Sequence, residues 1–178
     1  DKKAREILDR IQKMFENLPQ WMQQGVTEWN KGNIELENGS KIVATSTSSS
    51  AARGDTYNLV YLDEFAHVEK NVQEDFFASV YPTISSGETT QLVITSTPKG
   101  MELFYKIWSE SEEGRNSYVR VDVHWSDVPG RDEKWKAETI ANTSEDLFRQ
   151  EHECLFLGSS NTLIHPTKLR NLSHKRPT

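Results

Sequence analysis

Two acids in a row close a short apolar run: in NLVYLDE, Leu59 to Leu62 is followed by Asp63 and Glu64. A second apolar run, Leu92 to Ile94 in QLVITSTP, opens into three hydroxyl residues, Thr95, Ser96 and Thr97, ahead of Pro98. Phosphoryl transfer asks little covalent help of a protein. It needs a metal held near the outer phosphates, a positioned nucleophile and compensation of negative charge. An acid pair at a strand mouth suits those needs, with Asp63 holding magnesium directly or through a water and Glu64 orienting the attacking water. Hydroxyls at a second strand end are sized to sense a γ-phosphate, or its water, and to pass the change on. Each feature also has a plainer reading: Asp63-Glu64 as a solvated strand end, Thr95 to Thr97 as a turn before proline. Side chains alternate along a strand, so the two carboxylates take separate roles only where the strand ends and twists.

Arg53 lies in a loop of small residues, SSSAARGD, where a backbone can approach another chain closely. An arginine so placed either acts as a finger on transition-state charge, worth roughly three to five orders of magnitude in rate where such fingers act, or is an ordinary surface residue. His152 and Cys154 are two residues apart on a predicted helix and share no face, which argues against a cysteine nucleophile. His67 and His124 have no ligand-like spacing and read as structural. The tryptophans Trp21, Trp29, Trp108, Trp125 and Trp135 read as packing residues rather than base-stacking platforms. No Gly-Lys dipeptide occurs. A Gly-x-x-x-x-Gly-Lys-Ser/Thr phosphate cradle is therefore expected upstream of Asp1.

The elements that would position these groups follow from periodicity. Ile7, Leu8, Ile11, Met14, Phe15 and Leu18 recur at helical spacing from about Lys2 to Leu18, stopped by Pro19. Asn38-Gly39 between alternating segments predicts a hairpin with a tight two-residue turn. The runs ending at Leu62 and Ile94 are apolar on both faces and predict strands buried in a parallel sheet. Helices are expected over Val72 to Ile84 with a glycine cap near Ser85-Ser86-Gly87, over Met101 to Glu113, around Glu133 to Ile140, and over Glu145 to Glu153 with Ser144 as cap. SYVRVDVHW alternates as a strand. Strands alternating with helices indicate an α/β fold with a largely parallel sheet, whose functional groups gather at the carboxyl ends of the strands.

Length and composition set the outer bounds. A chain of 178 residues with 35% hydrophobic and 27% charged residues supports one real core. No apolar run reaches membrane-spanning length, and the opening Asp-Lys-Lys-Ala-Arg has no signal-peptide core behind it. The single cysteine excludes an internal disulfide and fits a reducing compartment. A net charge of −6 argues against tight, passive wrapping of nucleic acid. A basic patch in the tail, Lys168, Arg170, His174, Lys175 and Arg176, leaves transient contact open, although a solvated linker explains it as well. The chain opens on Asp rather than Met, so a piece of something longer is expected.

Taken in order, WNKGNIELENGSKI, AARGD, LVYLDEFAH, ITSTPKGMELFYKIW and FRQEHECLF resemble the large terminase subunit of tailed bacteriophages, in the branch typical of contractile-tailed phages. The resemblance runs collinearly from about Asp1 to Ile164. It implies an incomplete phosphate-loop NTPase core of the RecA-like kind over 1–157, with a small helical lid, and a linker over 158–178 toward an absent nuclease domain. It implies that LVYLDE is the Walker B strand, with Asp63 for magnesium and Glu64 as catalytic carboxylate. ITSTP looks like the coupling motif that links γ-phosphate loss to movement, and Arg53 falls where the family carries an arginine suspected of reaching a neighbour's ATP. Phe148 to Glu151 matches a pattern in the rocking subdomain and reads as structural or coupling. The implied cofactors are ATP and Mg2+. The implied partners are double-stranded DNA held transiently, a portal protein, the small terminase subunit and further copies in a ring, all in the host cytoplasm. A helicase of the same superfamily and a non-catalytic assembly module with this fold remain as alternatives.

Overall fold

The N-terminal stripe folds as expected. The computed structural model describes residues 2–48, 56–85 (the side chain of Thr83 excepted) and 89–158. In it, helix α1 spans Lys2–Glu16 and buries Leu8 to 2% exposure. Phe15 on the same face meets Trp29 at 5.6 Å between ring centroids, and Gln12 Nε2 donates to the Asn30 carbonyl at 2.9 Å. The helix ends before Pro19, whose ring cannot continue it.

Trp29 belongs to a strand that periodicity did not reveal. β1 (Val26–Trp29), β2 (Asn33–Leu36) and β3 (Lys41–Val43) form an antiparallel sheet in that order. β1 pairs Glu28 with Glu35 and Trp29 with Ile34, with a register shift between Val26 and Glu28, and β2 pairs Ile34 with Ile42. Ile34 is the buried centre, 2% exposed. The hairpin between β2 and β3 lies where Asn38-Gly39 places it, but its turn is longer than expected. Leu36 N–H bonds the Ser40 carbonyl at 2.9 Å, so Glu37, Asn38 and Gly39 all lie in the loop. Gly39 has φ +81°, while Asn38 keeps negative φ and accepts from Ser40 N–H at 2.9 Å. A three-residue loop needs one left-handed residue where a tight two-residue turn needs two.

β4 (Leu59–Leu62), α2 (Lys70–Ser85) and β5 (Gln91–Ile94) form a β-α-β unit whose two strands pair in parallel. Phe76, Val80 and Ile84 of α2 line an apolar hollow with Leu92 of β5. The strands are not buried on both faces as their composition suggested. Leu59 is 55% and Tyr61 47% exposed, because one helix covers only one face of a two-stranded sheet. Pro82 lies inside α2. The glycine cap expected at Gly87 falls outside the described residues, as do Arg53, its loop over 49–55, and the tail from 159 with its basic patch.

Farther along are α3 (Leu103–Glu112), α4 (Glu133–Asn142) and α5 (Glu145–Glu151). Asp132 caps α4 through Trp135 N–H, and Ser144 caps α5 through Leu147 N–H as its residue type predicts. Phe148, 1% exposed, sits against Trp125 and Trp135, and Phe156 packs on Phe104, Tyr105 and Trp108. Three of the five tryptophans thus serve packing here and Trp29 does so on α1, whereas Trp21 is 83% exposed. The expected strand over SYVRVDVHW does not form among the described residues. Val119 and Val121 stand 90% and 77% exposed, since alternation readies a segment for pairing but supplies no partner.

Contacts divide the chain into two compact units, Asp1–Asp63 with Asn71–Val93, and Glu64–Lys70 with Ile94–Thr178. No helix among the described residues is long and apolar enough to cross a membrane.

Candidate functional site

β4 stops at Leu62, and Asp63 follows it exposed, with the Tyr61 hydroxyl 3.5 Å from Asp63 Oδ1. Glu64 then takes φ +53° and ψ +37°. A glutamate in the left-handed region is uncommon and costs about 1–2 kcal/mol. The reversal ends the strand's alternation at once, so Glu64 is not forced onto the face opposite Asp63. A short 3-10 turn, Phe65–His67, carries the chain on, with Phe65 and Ala66 buried.

The second unit holds this turn against the hydroxyl segment. Phe65 N–H donates to the Thr95 carbonyl at 3.2 Å, and Ala66 N–H to Ser96 Oγ at 3.1 Å. The three hydroxyl residues differ in what they do. Ser96 Oγ also donates to the Thr97 carbonyl at 3.0 Å, which makes it a staple of the turn. Thr97 Oγ1 lies 3.0 Å from His67 Nε2 and 3.4 Å from Glu151 Oε1. Thr95 is the exposed one of the three.

The turn that follows Glu64 is therefore joined to Thr95, Ser96 and Thr97 through Phe65, Ala66 and His67. Asp63 closes β4 in the other unit, and Arg53 is outside the described residues. Among the described residues no cluster of three or more His, Cys, Asp or Glu gathers as a metal cage. Magnesium does not need one: it binds through one or two carboxylates together with phosphate oxygens and water. The exposed carboxylate of Asp63 is a donor of that type.

The family model described as "Terminase large subunit, T4likevirus-type, N-terminal" matches residues 2–170. The chain belongs to that family. As a terminase chain it is a component of viral DNA packaging, and the collinear resemblance of its segments is upheld.

Two residues that bear on this turn in the terminase chain were not singled out as site residues in the sequence, where His67 reads as structural and Phe148 to Glu151 as structural or coupling. His67 reads there as structural because it has no ligand spacing, yet its ring sits 3.7 Å from Glu64 Oε2. Its i+3 position after Glu64 is the signal that points to it. Glu151 meets Thr97 across 54 residues, and no local pattern encodes such a contact. Cys154, by contrast, stays out of the chemistry. Burial pushes its thiol above the ordinary range, Asp122 and Glu151 push the same way, and only the bond to the Val123 carbonyl opposes them. A thiol so placed is a poor nucleophile.

Proposed function

We propose that this chain is the strand-end half of an ATPase that drives double-stranded DNA into a viral procapsid. In this reading Asp63 holds Mg2+, and Glu64 accepts a hydrogen bond from the attacking water and polarises it. Thr95, Ser96 and Thr97 respond to the γ-phosphate. Bound magnesium supplies charge compensation at the phosphates. The fold that goes with it is a phosphate-loop NTPase core of the RecA-like kind with a small helical lid, its Gly-Lys cradle supplied from outside these 178 residues. Arg53 is assigned to transition-state charge, in the same subunit or a neighbouring one. The portal protein, the small terminase subunit and further copies in a ring are its partners in the host cytoplasm.

The supporting observation is the left-handed Glu64, which leads into a turn whose Phe65 and Ala66 amides are bonded to Thr95 and Ser96. A strained backbone persists only where its surroundings impose it, and such positions cluster at functional sites. Membership in the terminase family favours this over a helicase. The test is Glu64→Gln in the intact protein. Turnover is expected to fall at least about a hundredfold, as when one group acting on the transition state is removed, while nucleotide affinity stays within about threefold, since a residue acting on the transition state adds little to ground-state binding. Wild-type turnover in that variant removes Glu64 from its role.

A further inference from the structure

His67 has a place in the turn that the hydrolytic assignment leaves unused. Its Nε2 is 3.0 Å from Thr97 Oγ1 and 3.7 Å from Glu64 Oε2. Thr97 Oγ1 continues to Glu151 Oε1 at 3.4 Å, and Gln150 Nε2 donates to that same oxygen at 3.0 Å. An ionised carboxylate only accepts, so the Thr97 proton is directed at Glu151 and the Thr97 oxygen is left to accept from His67. The line then has one direction, ring N–H to hydroxyl to carboxylate, and it demands the Nε2–H form of the ring. Its two steps cross 30 and 54 residues of sequence, so neither is a by-product of a local turn.

The Nε2–H faces two acceptors and cannot serve both at full strength. At 3.7 Å the Glu64 carboxylate is just outside hydrogen-bond range of the ring. A move of the ring toward Glu64 weakens its bond to Thr97, and a pull on Thr97 from α5 draws the ring away from Glu64. We propose that His67 is a positioning residue for Glu64, and that the line through Thr97 to Glu151 ties the strand-end turn to helix α5. The positioning role rests on the hydrolytic reading of Glu64; the line rests on geometry alone.

Imidazole nitrogen shifts of the nucleotide-free protein read the line without turnover. The Nε2–H tautomer is expected, drifting toward the mixture of a solvated imidazole in Thr97→Val and in Glu151→Ala. An Nδ1–H tautomer, or shifts indifferent to both substitutions, overturns the line. In the intact protein His67→Ala lowers kcat about tenfold at unchanged KM, the worth of roughly one hydrogen bond. His67→Gln, whose amide can donate toward Thr97, recovers most of that loss. His67→Ala combined with Glu151→Ala costs no more than the worse single change, because both cut one line. Wild-type kcat in His67→Ala, or multiplicative losses in the pair, overturns the proposal. Glu64→Gln run in parallel separates the two ideas: normal turnover there removes the hydrolytic assignment and the positioning role with it, while the tautomer measurement still judges the line.

Discussion

Glu64 joins a backbone argument to a chemical one. Its left-handed conformation is one that glycine adopts freely, so Glu64→Gly should relieve strain. The gain is reduced by glycine's larger entropy in the unfolded chain, leaving ~0.5–1 kcal/mol of added stability. Urea unfolding measures it, and a destabilised variant would show that the side chain holds the turn. Cys154 gives a second prediction at this scale. Because burial raises its pKa, the folded state holds the thiol proton more tightly than the unfolded chain does. The resulting stability is fully present below the ordinary thiol range and is lost as pH rises through the raised value. Alkylation of Cys154 near pH 8 should therefore be slower in the folded protein than in urea, and equal rates would contradict the burial. The acid pair and the hydroxyl run were legible as residue types at strand ends. The left-handed turn was not, because glutamate carries no signal for positive φ.

Among the elements, those set by local pattern came out close to expectation: α1, α2 to α5, β4, β5 and the Ser144 cap. Those that depend on a partner did not. β1 has no clear alternation and forms because Glu28 and Trp29 find Glu35 and Ile34. Ser117 to His124 alternates well yet forms no strand among the described residues. The β2–β3 loop lies between these cases: its place is local, its length is decided by pairing. Gly39→Ala tests that geometry. A Cβ there meets nothing within 4 Å, so any cost is conformational and should be about 1 kcal/mol in thermal or urea unfolding. A neutral result would mean that the loop re-forms with negative φ.

For the whole molecule, the decisive sequence feature is a missing one. Backbone amides and a lysine must cradle the phosphates, and these 178 residues contain no Gly-Lys. Calorimetry on the 178-residue chain should find ATP binding weak; tight binding would relocate the phosphate site to residues not considered for it. Composition and periodicity by themselves determined that the chain is globular, that helices alternate with strands, and that acids and hydroxyls end two of those strands. These properties follow from side-chain chemistry and spacing, which act over a turn or two of chain. Only the tertiary structure decided that Glu64 leaves its strand left-handed, that Ser96 staples the turn, and that His67, Thr97 and Glu151 meet. Those contacts join positions 30 to 54 residues apart, and their geometry is imposed by packing of elements that no local pattern brings together.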